Sequence, residues 1–530
     1  MRFYKPDSTK VERWSGPNRR FINLGTLVIV GGLCCVILSL PLRAGGGLLR
    51  FAQDDFYYYL KPAQNLAAGH GPTFDGTTPT NGFHPLYFLL LTIASFWIHT
   101  LLGIFRLLWV TDVASATSIF LVARRIFARV APNPWLSNAL ALTLTLPCIP
   151  LLCNQMEVTL AIPLGLLFLS VGFTPFLRYT PARCAALGLL GALTTLARLD
   201  ASILVFTFLV ALLLVRESRA AITWPHLFSF TAAFFPLLLV YIAINQHFFH
   251  VLLPISGVAK ELRHGMRPSQ YLIGSFSGIS LILVNTSIVT AVLARAMRRH
   301  LEPQEKTFLF AATSAPFLFY GIEMLISDWP LWNWYFYSLR YALAATLLLV
   351  GILWSRPSLA AEYPMLRAVR NFSWFPAILY AATVLVLCRT RYKVDHWMVE
   401  IQHASYILET FEHSHPGKYA MGDRAGMFAY ITAAPVLQTE GLVMDKSYIE
   451  HIRAQDDLRS VLSSYGVNYY VAFVFERHYK RQFSGNCFHA KEPSIAGPDS
   501  LRMRSDFCEP PIYEFPGFDG KYLIYAVNPT

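Results

Sequence analysis

The sequence predicts a multi-pass all-α membrane bundle with a small extracytoplasmic α/β domain at its C-terminal end. Of the 530 residues, 54% are hydrophobic and 14% are charged, whereas soluble proteins carry about 25% charged residues. The apolar residues form blocks of about 20, the length of helix that crosses about 30 Å of hydrocarbon. After Cys388 the sequence becomes polar again. These three observations together favour a membrane protein with a hydrophilic C-terminal region.

About eleven transmembrane helices are predicted, at 22–42, 104–123, 134–152, 158–177, 182–198, 200–215, 224–245, 271–294, 307–326, 336–354 and 372–388. The first block follows a basic segment and is too long for the apolar region of a cleaved signal peptide, so we interpret it as a retained span. Eleven crossings place the N-terminus in the cytoplasm and the C-terminal domain outside the inner (plasma) membrane.

The apolar stretch 84–103 is left out of these spans because of charge. With 84–103 outside, five basic groups fall in cytoplasmic loops: Arg124/Arg125/Arg129, Arg178/Arg183, Arg216/Arg219, Arg295/Arg298/Arg299/Lys306 and Arg356/Arg367/Arg370. A crossing at 84–103 would move all five outside, against the positive-inside rule. We therefore predict an interfacial helix in the first outer loop. The same placement explains the net charge of +12 without a nucleic-acid partner.

The chain divides into a transmembrane catalytic domain, 1–388, and an extracytoplasmic α/β domain, 389–530. In the second domain the patterns predict helices at 392–411 and 446–464, and strands at 468–475 and 521–527. Cys487 and Cys508 lie in this region, where an oxidising compartment would allow a disulfide. Two cysteines alone leave that pairing open.

Polar residues of chemical interest all fall on the predicted outer side, in separate connections of the chain. They are Asp54, Asp55, Asn81, His84, Asn154, Glu157, Arg198, Asp200, Lys260 and Asp328. Adjacent carboxylates raise one another's pKa, which suits a group that must accept a proton. The alternative for Asp54 and Asp55 is a solvated acidic turn after the first span. The common sidedness predicts one site at the outer face.

Several short motifs together resemble one enzyme family. They are Asp54-Asp55-Phe56-Tyr57-Tyr58, Gly69-His70-Gly71, Thr80-Asn81-Gly82-Phe83-His84-Pro85-Leu86, Asn154-Gln155-Met156-Glu157, Ala197-Arg198-Leu199-Asp200, the loop 254–260 (Pro-Ile-Ser-Gly-Val-Ala-Lys), Gly422-Asp423-Arg424-Ala425-Gly426 and Glu440-Gly441-Leu442. In order along the chain, they resemble the polytopic GT-C-fold glycosyltransferases. The resemblance is to bacterial relatives of protein O-mannosyltransferases and aminoarabinose transferases.

This resemblance implies transfer of a sugar from a polyprenyl-phosphate donor to a hydroxyl of a glycan, lipid or protein acceptor, with inversion at the anomeric carbon. It implies Asp54 as general base and Asp55 as its support. Asp54, Asp55 and Glu157 are candidate ligands if a divalent cation (Mg²⁺ or Mn²⁺) takes part. No cofactor is certain from the sequence.

Substrate-binding roles fall to six residues: Asn81, His84, Glu157, Arg198, Asp200 and Lys260. Arg198 and Lys260 would neutralise the donor phosphate, since Arg grips phosphate bidentately and Lys acts as a point charge. Each has a structural alternative: an Arg198–Asp200 ion pair, a Glu157–Arg pair, a His84 helix cap and a solvated Lys260. The aromatic run 329–337 is most simply a belt at the membrane interface.

Two other functions fit a helix bundle with charged residues. A transporter or flippase of lipid-linked sugars would need charges near mid-membrane and often has two similar halves, and neither is evident here. A non-catalytic glycan-binding scaffold would have no need of Asp54 and Asp55. The sequence leaves the sugar, the acceptor, the need for a metal and the oligomeric state undetermined.

Overall fold

The structure is a computed structural model that describes residues 26–35, 37, 49, 52–131, 134–175, 179–265, 268–276, 278–356, 396–476 and 482–528. The helices up to residue 356 are α1 (Thr26–Cys35), α2 (Asp54–Ala67), α3 (Pro85–Trp97), α4 (Leu101–Phe127), α5 (Pro134–Thr145), α6 (Ile149–Leu152), α7 (Val158–Gly172), α8 (Pro181–Ala197), α9 (Ser202–Leu214), α10 (Arg216–Ala221), α11 (Trp224–Phe249), α12 (Ile255–Glu261), α13 (Gln270–Ile273), α14 (Gly278–Ala296), α15 (Pro303–Ile326) and α16 (Leu339–Ser355). Short 3₁₀ turns occupy Leu146–Cys148, Leu199–Ala201 and Asn333–Ser338.

Six helical segments of the described chain are long and apolar enough to cross a membrane: Leu101–Phe127, Pro134–Leu152, Trp224–Phe249, Gly278–Ala296, Pro303–Ile326 and Asn333–Ser355. The predicted spans 158–177, 182–198 and 200–215 are helices too, but shorter ones, at Val158–Gly172, Pro181–Ala197 and Leu199–Leu214. The predicted span 372–388 lies outside the described residues. The helical membrane bundle is therefore confirmed, while the count of about eleven crossings stays a prediction.

The stretch 84–103 does not form one continuous helix. Helix α3 ends at Trp97, and α4 begins at Leu101, where the Thr100 side chain accepts a hydrogen bond from Gly103 N. With 13 residues, α3 is about 20 Å long at 1.5 Å per residue, short of the roughly 30 Å hydrocarbon thickness. An interfacial position for α3 remains the prediction that fits this length.

Basic residues gather at one end of the membrane bundle. Arg356, after α16, pairs with Glu305 in the first turn of α15 at 2.6 Å, and Lys306 pairs with Glu217 of α10 at 3.5 Å. Arg129, after α4, donates to a carbonyl in the last turn of α7. The polar residues of interest lie at the opposite end, where α7 begins and α15 ends.

The C-terminal domain is an α/β fold with two sheets. Its helices are α17 (His396–Ser414), α18 (Ala425–Ile431), α19 (Lys446–Ala454) and α20 (Leu458–Ser464). Its strands are β1 (Tyr419–Met421), β2 (Val436–Gln438), β3 (Tyr469–Phe475), β4 (Phe483–Ser484), β5 (Cys487–Glu492), β6 (Met503–Phe507), β7 (Tyr513–Pro516) and β8 (Gly520–Ala526). The larger sheet has the order β2-β1-β3-β8-β7, parallel from β2 to β3 and antiparallel from β3 to β7. The smaller sheet is the antiparallel β4-β5-β6, and a Cys487–Cys508 disulfide links β5 to the residue after β6.

The predicted helix 446–464 is wrong as a single element. Gln455 ends α19 in the left-handed conformation, with φ of 56°. Asp457 then caps a new helix, because its side chain accepts a hydrogen bond from Ser460 N, the usual role of Asp at a helix start. The sequence signal was the Gln455-Asp456-Asp457 segment between two apolar runs.

The C-terminal domain shares its hydrophobic core with the loops of the membrane bundle. Tyr58 of α2, Phe74 of the following loop and Trp329 after α15 pack in the same buried cluster as the sheet residues of the domain. Asp328 adds polar contacts: its backbone carbonyl accepts from Gly497 N at 2.6 Å and its side chain from Asp499 N at 2.8 Å. The domain is therefore docked on the end of the bundle that carries the polar residues.

Candidate active site

Asp54 begins α2 and is bound by the C-terminal domain. Its Oδ2 accepts a hydrogen bond from Gly426 N at 2.9 Å and its Oδ1 accepts one from Met427 N at 2.8 Å. Burial raises the pKa of Asp54 to about 6, although the two amides act in the opposite direction. Both carboxylate oxygens therefore already hold a donor from a segment more than 370 residues away in the chain.

Asp55, the next residue, faces different surroundings. No described residue donates a hydrogen bond to its carboxylate, and the side chain is partly exposed. Burial raises its pKa to about 7; Lys260 opposes this rise, while the charges of Asp54, Asp423 and Glu157 add to it. A carboxylate with free oxygens that titrates near neutral pH has the properties of a general base.

Glu157, Arg198 and Asp200 form a buried ion-pair chain beside the two acids. The Arg198 Nη1 contacts Glu157 Oε1, and its Nε donates to Asp200 Oδ1 at 2.9 Å. Tyr59 of α2 donates to the other oxygen of Glu157 at 3.1 Å. Arg198 is 2% exposed, so its charge is neutralised by carboxylates of its own chain. The sequence alternative of an Arg198–Asp200 pair is thus realised in the structure.

Aromatic residues hold the cations of the site. The Arg198 guanidinium carbon lies 4.6 Å from the ring centre of Tyr335 and 4.8 Å from that of Tyr337, within the range of cation–π attraction. Tyr337 also donates to Asp200 at 2.8 Å. Part of the predicted interface belt therefore lines the site.

Lys260 of α12 donates to the Tyr335 hydroxyl, and its ammonium lies 5.9 Å from the ring centre of Trp329. Burial lowers the pKa of Lys260, but Tyr335 and Asp55 outweigh it and the net pKa is raised, so the ammonium stays charged. Among the described residues no carboxylate lies within salt-bridge distance of Lys260. It is the cation of the site that remains available for an anionic ligand.

His84 and Asn81 join the loops that carry these groups. Asn81 accepts from Ile255 N at 3.0 Å and donates to Leu253 O at 3.3 Å, which fixes the start of α12. His84 accepts from Leu199 N through Nδ1 at 3.2 Å. Burial and the neighbouring Arg198 lower the pKa of His84 to about 3, so the ring is neutral and its proton lies on Nε2.

Two acids of the C-terminal domain belong to the same site and were not assigned a role from the sequence. Asp423 follows β1 and Glu440 follows β2, at the carboxyl edge of two adjacent parallel strands. Burial raises the pKa of both, and each interacts electrostatically with Asp55. Ligands of α/β sheets bind at this edge, and the strand-then-acid pattern was the available signal.

Asp112 is a further buried acid that sequence reasoning missed. It lies in the middle of α4, 1% exposed, and accepts from Gln155 Nε2 at 2.8 Å. Gln155 has a positive φ of 57°, a conformation that costs a non-glycine residue energy unless its surroundings hold it. Asp112 therefore secures the turn that leads into Glu157. A lone Asp inside an apolar block was the sequence signal.

Two of the three predicted metal ligands, Asp54 and Glu157, have hydrogen-bond partners within the protein. Asp54 is occupied by two amides, and Glu157 is occupied by Arg198 and Tyr59. Within the described ranges, no three His, Cys, Asp or Glu side chains are grouped so that they could hold a metal ion. Participation of a divalent cation stays an untested prediction.

The five outer connections that carry the ten predicted residues meet in one region of the structure, where Asp328 and Asn154 have contacts with the surrounding backbone. Asp328 docks the C-terminal domain, and the backbone carbonyl of Asn154 accepts from Gln53 N at 3.4 Å. The other eight are carried by α2, the loop before α3, α12 and the segments that begin α7 and end α8. The predicted convergence on one site is present in the geometry.

Comparison with known proteins yields structural similarities only. No protein-family profile and no curated protein matches this chain. The Archaeoglobus fulgidus oligosaccharyltransferase in the apo form is 13% identical, with a TM-score of 0.48, over 92% of this chain and 77% of that one. The same enzyme tethered to an acceptor peptide gives 12% and 0.47, over 92% and 74%.

The archaeal oligosaccharyltransferase AglB from Archaeoglobus fulgidus, in complex with an inhibitory peptide and a dolichol-phosphate, is 11% identical, with a TM-score of 0.46, over 86% of this chain and 70% of that one. With TM-scores below 0.5, these similarities do not by themselves assign an activity to this chain.

Proposed function

We propose that this protein is a membrane glycosyltransferase that moves a sugar from a polyprenyl-phosphate donor to an acceptor hydroxyl on the outer face, with inversion at the anomeric carbon. The observation that carries the proposal is the pairing, in one site, of Asp55, a carboxylate with free oxygens and a raised pKa, with Lys260, a cation that has no carboxylate at salt-bridge distance among the described residues. Inverting sugar transfer needs this combination of a proton acceptor and a positive charge for the leaving group.

The reaction follows from these two groups. The acceptor hydroxyl gives its proton to Asp55 as its oxygen bonds to the anomeric carbon. The bond from that carbon to the phosphate oxygen breaks, and polyprenyl phosphate leaves with the electron pair. Lys260 neutralises the charge that develops on the phosphate. The hydrogen bonds of Arg198 are directed to Glu157 and Asp200. Arg198 therefore acts on the phosphate through its positive charge at a distance, and it holds Glu157 in place.

Trp329 supports the proposal with a candidate donor to the phosphate beyond the cations. The Trp329 indole N–H is buried, and no described residue accepts its hydrogen bond. An unpaired buried donor costs free energy that a ligand oxygen would recover. Its position near Lys260 suits an oxygen of the donor phosphate. Neither the sugar nor the acceptor class is specified by these contacts.

The test is transfer in detergent solution, where no compartments exist and transport has no product. Purified protein would be mixed with the lipid-linked sugar fraction of the source cells and with surface glycans from cells that lack the protein. We expect the glycans to gain the mass of one sugar. The Asp55→Asn variant should lose activity by at least about 100-fold, the usual contribution of a general base.

Asp506→Asn is the matched control, because this exposed carboxylate contacts only His489 among the described residues, and it should keep full activity. A wild-type protein that transfers nothing in detergent, yet moves lipid-linked sugars across proteoliposomes, would contradict the proposal in favour of a flippase.

A further inference from the structure

The two adjacent acids Asp54 and Asp55 have opposite hydrogen-bonding states. The Asp54 side chain is 8% exposed, and each of its oxygens accepts a backbone N–H from the C-terminal domain. Asp55 receives no hydrogen bond from any described residue. Successive residues of a helix point about 100° apart, so α2 presents one carboxylate to the domain and the other to the site.

The contact at Asp54 is fitted closely to the backbone on both sides. A Cβ added at Gly426 would lie 2.3 Å from the backbone carbonyl of Asp54 and 2.9 Å from its Oδ2. Real side chains do not approach at 2.3 Å. Only glycine at position 426 allows the domain to come near enough for both amides to reach the carboxylate.

A carboxylate bound in this way is a poor general base. To take a proton, Asp54 must give up at least one charge-assisted hydrogen bond, and such bonds are about twice as strong as neutral ones. The donor left behind would be a buried amide without a partner. Asp55 has no such bond to lose, and its side chain is partly exposed.

We infer that the two acids divide the work: Asp54 is a positioning residue that latches the C-terminal domain to α2, and Asp55 alone accepts the acceptor proton. The inference rests on the proposed function and refines it. It also gives the domain a part in the reaction, because the latch holds Asp423 and Glu440 beside Asp55.

The experiment is hydrogen–deuterium exchange at the amides of Gly426 and Met427 in the full-length protein, combined with the transfer assay. In Asp54→Asn one carboxylate oxygen becomes an amide NH₂, which cannot accept from the backbone. We expect exchange at these amides to become at least about tenfold faster, equivalent to the loss of one charge-assisted hydrogen bond. Transfer should fall but persist.

Asp55→Asn should behave in the opposite way, with unchanged exchange at both amides and transfer reduced by at least about 100-fold. Gly426→Ala opens the same latch while keeping both carboxylates, so it should reproduce the fast exchange and the reduced transfer of Asp54→Asn. It also serves as the deciding variant if Asp54→Asn does not accumulate. Asp506→Asn controls for the change of acid to amide at a distant position.

Unchanged exchange in both Asp54→Asn and Gly426→Ala would overturn the latch. Loss of all transfer in Asp54→Asn with normal exchange would make Asp54 the base instead. Failure of the proposed function looks different, because then exchange would still respond to Asp54→Asn while the wild-type protein showed no transfer.

Discussion

Asp55 is the residue whose chemistry depends most on its neighbours. Two adjacent carboxylates in the sequence indicate a raised pKa without saying which of the two carries it. In the structure both are raised, to about 6 for Asp54 and about 7 for Asp55. The free oxygens of Asp55, rather than either pKa alone, are the reason that we propose it as the base.

The rate of transfer should therefore depend on pH through Asp55. The base must be ionised, so we expect the rate to rise with pH up to about 7, the pKa of Asp55, and to fall about tenfold per unit below it. Initial rates between pH 5 and 8, with substrate well below saturation, follow kcat/KM and would therefore measure the pKa of the free enzyme.

The Asp54→Asn variant tests the direction of this pH dependence a second time. The charge of Asp54 raises the pKa of Asp55. Removal of that charge should lower the pKa of Asp55 and move the rising part of the pH–rate profile to lower pH. If Asp54 were the base, the rise of the transfer rate with pH would be absent in this variant.

Among the contacts between helices, the ion pair of Arg198 with Glu157 connects the end of α8 to the start of α7. The two carboxylate partners of Arg198 leave it almost fully buried and paired. Removal of one member of a buried ion pair leaves an uncompensated charge and costs about 3–5 kcal/mol. We expect Arg198→Ala to lower the thermal unfolding temperature markedly, as measured by intrinsic fluorescence in detergent.

Arg453→Ala is the matched control, because Arg453 pairs with Glu450 on the exposed face of α19. Exposed pairs contribute about 0–1 kcal/mol, so this variant should unfold near the wild-type temperature. Equal effects of the two substitutions would show that Arg198 does not stabilise the bundle.

Gly82, in the Thr80–Leu86 motif, is a second point of close contact between elements, and the sequence motif does not reveal it. A Cβ at Gly82 would lie 1.8 Å from the carbonyl oxygen of Leu442 in the C-terminal domain. We expect Gly82→Ala to push the domain away from the loop before α3 and to increase cleavage by trypsin between the two domains.

The control for Gly82→Ala is Gly257→Ala in α12, where no atom lies within 4 Å of the added Cβ. Alanine is the better helix former, so this change should leave proteolysis unaltered or reduce it. Equal protection of both variants would mean that the domain does not dock through Gly82.

Across the whole molecule, the structure separates two ends of the helix bundle. The basic end and the end that carries the site lie at opposite ends of the same helices, and the positive-inside rule assigns the basic end to the cytoplasm. The proposed reaction requires the site to lie on the non-cytoplasmic side of the membrane.

Cysteine labelling in intact cells would measure this sidedness. Glu450→Cys, exposed on the C-terminal domain, should react with a membrane-impermeant maleimide in intact cells. Arg299→Cys, between α14 and α15 at the basic end, should react only after permeabilisation. The reverse pattern would place the site in the cytoplasm and contradict the proposed orientation.

The helical bundle and the polar domain after it follow from the sequence alone, and the sequence also named most residues of the candidate site. These features depend on local composition, because the cost of placing a segment in hydrocarbon is a sum over its own residues. The pairs Asp54–Asp55 and Arg198–Asp200 were visible for the same reason, since their members are neighbours in the chain.

The contacts of those residues, and with them the proposed roles, depend on how distant parts of the chain pack together. Which acid keeps free oxygens depends on where Gly426 and Met427 pack, and which cation remains available depends on the distance from Arg198 to Glu157. The structure was also needed to find three acids that have no role in the sequence analysis: Asp423, Glu440 and Asp112. Hydrogen bonds act over about 3 Å, and packing alone brings residues hundreds of positions apart within that range.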